Sequence, residues 1–201
     1  MKILFISDFT LKQRQGGAQV SNDLILKKGR ELGHEIKEHD HTSSIVDFLS
    51  SYDLVINSNL EAISKISPEK LQYINKMPNS VRLEHDSCLY LEKNTRQQLF
   101  ENCKKTFFLS QFHFDFFKEF YGDYFKNVEI VYDPIDTSIF KKEDKTKIYD
   151  IVYCGYLHKL KGLNNLMAYA KANPERKVSV FGWGDLNPAT LFEGFDNITF
   201  E

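Results

Sequence analysis

Tyr149-Asp-Ile-Val-Tyr-Cys-Gly155-Tyr-Leu-His-Lys-Leu-Lys161-Gly162-Leu163 decides how this chain is read. Its apolar run, residues 151–153, predicts a buried strand that ends at Gly155. A Lys-Gly pair then opens an amphipathic helical segment, residues 163–170. A strand, a glycine turn and a lysine at a helix N-terminus make an anion site, because free N–H groups and the helix dipole favour phosphate. The plainer reading is a helix start with a solvated lysine, and the surrounding pattern has to decide between them.

Outward from that stretch, strand-like and helix-like segments alternate. Strands are expected at residues 2–7, 35–39, 53–57, 80–84, 106–109 and 128–131, and helices at 18–32, 68–75, 89–102 and 111–121. In the 18–32 helix the apolar positions are Val20, Leu24, Ile25 and Leu32, and Gly33 stops it. The alternation predicts a doubly wound, Rossmann-like parallel sheet over residues 1–140. The charged run 141–147 lacks apolar residues and reads as an exposed linker. A second Rossmann-like series follows over 148–201, with strands at 148–153, 177–181 and 197–200 and a helix at 163–172. It is shorter than the roughly 100 residues of an ordinary α/β domain and reads as incomplete.

Bulk properties narrow the classes. With 26 basic against 28 acidic side chains in 201 residues, the formal net charge is −2, and no basic stripe points to a nucleic-acid partner. No apolar run approaches the roughly 18 residues that span a bilayer, so a cytoplasmic protein is expected. Three scattered cysteines, Cys88, Cys103 and Cys154, read as reduced thiols.

Four phrases in order resemble the retaining glycosyltransferases of the GT-B fold, family 4. They are Gly16-Gly17-Ala18-Gln19 after the first strand, Gly33-His34-Glu35-Ile36, the hinge phrase Asp133-Pro134-Ile135-Asp136 with Phe140, and Gly155 with Lys161-Gly162 followed by Gly182-Trp183-Gly184. The resemblance implies a GT-B fold and transfer of a sugar from a nucleoside diphosphate sugar to a sugar or lipid-linked hydroxyl, with retention, without a metal or other cofactor in the protein. It implies donor binding by Gly16, Gly17, Gly155, Lys161, Gly162 and Gly182. His85, at the end of the 80–84 strand and expected to point into the cleft, would lie beside the reacting sugar as the catalytic residue; Asp86 and Arg14 would meet the acceptor.

Each position also has an ordinary reading: loop glycines, a surface histidine at a strand end, exposed loop polars. The pair His39-x-His41 invites a metal but lacks an obvious third ligand. The aromatic helix 112–121 could lie on a membrane, peripherally, yet Lys118 is balanced by Asp115 and Glu119, which favours core packing.

Two departures from the family pattern stand out. Tyr156 occupies the place of the arginine that usually follows the glycine, so a neutral phenol replaces a charge. The family's two glutamates with seven residues between them have no convincing counterpart. Glu193 and Glu201 share that spacing, but so do Glu61/Glu69 and Glu84/Glu92. The expectation is weak or absent transfer by these 201 residues alone. The rival expectation is a non-catalytic relative, either a homo-oligomer or one half of a complementary pair of subunits; a sugar-nucleotide epimerase is a third, weaker reading.

Overall fold

The computed structural model describes residues 1–40, 51–58, 79–85 and 100–201. Asp86, His41, Cys88, Glu61, Glu69, Glu92, the helix expected at 68–75 and most of the one at 89–102 lie outside these residues. The described chain divides into two units, Met1–Lys141 and Lys142–Glu201.

In the first unit, β1 (Lys2–Ile6), β2 (Glu35–His39), β3 (Leu54–Ser58), β4 (Ser80–Glu84), β5 (Lys105–Phe108) and β6 (Val128–Ile130) form one sheet in the order β2-β1-β3-β4-β5-β6. Every pairing is parallel. Ile3, Leu4, Phe5 and Ile6 are all buried, the signature of a central strand covered on both faces. Helix α1 (Gly17–Glu31) connects β1 to β2, and α2 (Gln111–Tyr121) connects β5 to β6. The aromatic helix packs as core: Phe117 and Tyr121 join Phe100 and Phe108 in a cluster of tilted and edge-on rings. Ser110 caps α2 by accepting from the His113 N–H at 3.1 Å. Arg82 and Glu84 are an ion pair buried inside the sheet, with the Arg82 guanidinium 5.4 Å from the Phe100 ring centroid.

The inner face of α1 departs from the sequence reading. Val20 and Leu32 are exposed, while Gln19, Ser21, Asn22 and Leu26 are buried. The helix lays a polar face over strand ends that carry Asp8, Ser58 and His85, so apolar periodicity finds only part of the inner face, Leu24 and Ile25 being half-buried.

In the second unit, β7 (Ile151–Cys154), β8 (Val178–Phe181) and β9 (Ile198–Phe200) form a parallel sheet in that order. A 3-10 turn (Lys159–Lys161) leads into α3 (Leu163–Ala172), and α4 (Pro188–Leu191) precedes β9. Leu157, Leu163, Ala170, Val178, Val180 and Phe192 make its core. The strand expected to be buried at 151–153 is instead an edge strand of alternating exposure, with Val152 56% exposed. It begins at Ile151 rather than Ile148, because Asp150 turns its carboxylate back to accept from the Lys177 N–H at 2.8 Å. That bond is the main cause holding the Asp150 carboxyl below its ordinary range, with Arg176 adding to it.

Candidate functional site

Strand order in the first unit reverses between β1 and β3, and doubly wound sheets bind ligands at the carboxyl ends of strands flanking such a reversal. Three elements converge there: the loop after β1, the end of β3 with Ser58, and His85 just past β4. Gly16 is the N-cap of α1, with extended backbone (φ −148°) and no side chain to cap the helix. The first N–H groups of α1 therefore have no side-chain acceptor. A side chain at Gly17 would meet nothing within 4 Å, so no packing demand explains that glycine. Arg14 is exposed, its guanidinium 5.5 Å from the Phe9 ring centroid.

Beneath the loop runs a buried polar network. Gln19 donates to Asp8 Oδ1 at 3.3 Å, and the same oxygen accepts the Phe9 N–H at 2.8 Å. Ser58 Oγ donates to Asn22 Oδ1 at 3.0 Å, and His85 Nε2 lies 3.1 Å from that oxygen. His85 Nδ1 is 3.4 Å from Asp133 Oδ1, which also accepts the Ser21 hydroxyl at 2.6 Å. Nε2 is thus within hydrogen-bond reach of the Asn22 amide oxygen, and Nδ1 faces the Asp133 carboxylate at ion-pair distance. The His85 side chain is 2% exposed. It is packed against α1 and the hinge phrase. Sequence reasoning missed Asn22 and Asp133 as its contacts, with Ser58 and Ser21 bonded behind them: Ser21 and Asn22 are hidden among the apolar residues of α1, and Ser58 and Asp133 are distant in sequence.

In the second unit the Gly155 turn sits at the carboxyl end of β7. Gly162 adopts left-handed backbone (φ 77°) and is the N-cap of α3, again with no side-chain cap. Lys161 is exposed and immediately precedes it. His158 caps the 3-10 turn: its Nδ1 accepts the Leu160 N–H at 3.2 Å, which leaves the ring proton on Nε2. The Tyr156 hydroxyl donates to Asp185 Oδ1 at 2.8 Å, so its single proton is spent within the protein. Gly182 is required by close packing, since a Cβ there would lie 2.0 Å from the Gly155 carbonyl oxygen. Glu193 falls in the turn after α4, and Glu201, at the end of β9, accepts the Tyr149 hydroxyl at 2.6 Å. Among the described residues, no three His, Cys, Asp or Glu side chains gather as a metal site, and no helix is long and apolar enough to cross a membrane.

The fold is α/β of the GT-B, Rossmann-like type, and solved glycosyltransferases share it. The chain aligns over 95% of its length with an α-glucosyltransferase solved with UDP and a 13-mer DNA containing a HMU base, at 14% identity and a TM-score of 0.61. It aligns over its whole length with Anabaena HepE in complex with UDP-glucose, at 14% identity and a TM-score of 0.63, covering 68% of that chain. Acinetobacter baumannii MurG aligns at 11% identity and a TM-score of 0.52, with 65% of that chain covered. The chain spans 59% of the length of the α-glucosyltransferase. No protein-family model matches this chain, and no curated protein does.

Proposed function

We propose that this chain is a glycosyltransferase-type protein that binds a nucleoside diphosphate sugar and, as part of a complete transferase, passes the sugar to a hydroxyl with retention. The observation that carries this reading is the turn at the end of β7. There an uncapped α3 N-terminus follows Lys161 and the left-handed Gly162, in a fold shared with proteins solved holding UDP or UDP-glucose. The helix N–H groups and the lysine would hold the diphosphate and stabilise the charge that develops on the departing phosphate. The first unit would take the acceptor side, with Arg14 and Asp86 meeting the acceptor and His85 beside the transferred sugar, while Gly16 and Gly17 would let backbone approach the bound sugar-nucleotide. The acceptor in this reading is a sugar or lipid-linked hydroxyl, since a net charge of −2 gives no reason to expect general nucleic-acid binding.

Calorimetric titration with UDP tests the reading. Wild type should bind, and Lys161→Ala should weaken binding by about tenfold or more, the worth of a charge-assisted hydrogen bond. Equal affinity in the two proteins would refute the assignment. Turnover is a separate question, answered with UDP-, GDP- and ADP-sugars as donors. One observation favours a second reading, a binding subunit without catalysis. The phenol that stands where an arginine would hold the diphosphate already gives its proton to a carboxylate, so Tyr156 adds no donor to that site.

A further inference from the structure

Trp183 is the chain's one tryptophan, and it is 65% exposed. The backbone that carries it is held by the residues on either side. A Cβ on Gly184 would lie 2.5 Å from the Leu157 carbonyl oxygen and 2.6 Å from the Leu157 nitrogen, and Gly182 is equally constrained against Gly155. The Trp183 carbonyl accepts the Leu157 N–H at 2.8 Å, and Leu157 bridges to Gly184 in parallel register. The backbone under the indole is thus locked to the loop after β7 while the ring stands in solvent. An exposed indole leaves a large apolar face unburied, and a rigid mount lowers the ordering cost that a ligand would otherwise meet.

What surrounds the ring defines the ligand. Tyr156 stands nearly perpendicular to Trp183, with ring centroids 6.5 Å apart and an interplanar angle of 85°, so the two rings form a corner. The Tyr156 hydroxyl donates to Asp185 Oδ1 at 2.8 Å, which brings a carboxylate to the tyrosine side of that corner. We propose that Trp183, Tyr156 and Asp185 form a carbohydrate-binding subsite for a neutral pyranose. The C–H face of the sugar would stack on the indole by dispersion, and its hydroxyls would donate to Asp185. The carboxylate decides the class: it accepts from hydroxyls and repels phosphate. The inference goes beyond the transferase reading and stands even if the chain catalyses nothing.

Because no other tryptophan contributes, emission excited selectively at tryptophan, beyond the tyrosine absorption band, reports this site. Titration with methyl α-glucoside, methyl β-glucoside, methyl α-mannoside and maltotriose, with glycerol as solvent control, should give a saturable change for at least one glycoside. Asp185→Ala should weaken that binding by about tenfold or more. Tyr156→Phe, which keeps the ring and releases the carboxylate, should weaken it less and serves as the second variant should Asp185→Ala fail to fold. Uridine tests the other ring chemistry. A saturable response to uridine with none to a glycoside would overturn the proposal in favour of a nucleobase platform. It is overturned as well by silence of every glycoside up to about 100 mM, where a site worth more than about 1.4 kcal/mol would show. Unchanged affinity in both variants would have the same consequence.

Discussion

Gly182→Ala puts the packing of the second unit to its sharpest test. The new methyl would sit 2.0 Å from the Gly155 carbonyl oxygen, where ordinary contact begins at 3.4 Å. The obstacle is backbone, so no rotamer change relieves it, and the ends of β7 and β8 must part by more than 1 Å. Parting them loosens the Gly155 N–H bond to Phe181 (3.0 Å) and the Leu157 N–H bond to Trp183 (2.8 Å). Overpacking costs about 1–3 kcal/mol and each hydrogen bond about 0.5–1.5, for an expected loss of about 2–6 kcal/mol. A unit the size of Lys142–Glu201 has only about 3–9 kcal/mol to lose. Urea unfolding of the full chain, followed through Trp183 emission, should show the midpoint falling by at least about 1 M. Gly17→Ala is the counterpart: with nothing within 4 Å of the added carbon and a helix to favour alanine, its midpoint should hold or rise slightly. A Gly182→Ala midpoint equal to wild type would refute the steric argument.

Three further outcomes are expected. Tyr156→Arg, which supplies a charge at the β7 turn, should tighten UDP binding by about tenfold in the titration above, whereas unchanged affinity would remove this position from the diphosphate site. A double-mutant cycle on His85→Ala and Asp133→Ala should give a coupling of about 0.5–3 kcal/mol in chemical denaturation, and additive effects would mean that the 3.4 Å contact carries no weight. Burial pushes the Cys103 thiol above its ordinary range, with the Arg82 charge pulling the other way. Cys154, exposed, should therefore be alkylated in the native protein while Cys103 waits for unfolding. The sign for pH follows: an unfolded Cys103 ionises before the folded one, so its contribution is intact below the ordinary thiol range and is lost as pH rises above it. A native Cys103 that reacts as fast as Cys154 would contradict the burial.

Most of the architecture was legible because strands and helices follow from periods that the chain keeps faithfully. Residues 35–39, 80–84, 111–121 and 163–172 match observed elements end for end, and Gly33, Gly155 and Gly162 mark the turns. Ends set by side-chain hydrogen bonds were not legible: Asp150 delays β7 to Ile151, and Asn187, which accepts the Ala189 N–H at 3.0 Å, starts a helix at Pro188 that no apolar period announced. In the candidate site, only what lies in a contiguous phrase was legible, such as the helix start at Lys161-Gly162. His85 and Asp133 lie far apart in sequence, and their meeting depends on β4 and the segment after β6 reaching α1 together. No local pattern encodes that.

Tyr156 is where the two functional readings part. An arginine at this position would bring a permanent positive charge to the end of β7, next to a turn that already offers Lys161 and the α3 dipole. The observed phenol instead spends its proton on Asp185 and holds a carboxylate beside Trp183. Under the two proposals, the phenol forgoes the phosphate contact an arginine would make and contributes to the corner proposed for hydroxyl groups. If the chain retains donor binding, Lys161 and the helix must carry it with at most help from the His158 Nε2 proton, and affinity should fall steeply with ionic strength, as a site dominated by one exposed lysine requires. A UDP affinity insensitive to salt between about 0.05 and 0.5 M would mean that uncharged contacts hold the nucleotide and that the turn at Lys161 is not the diphosphate site.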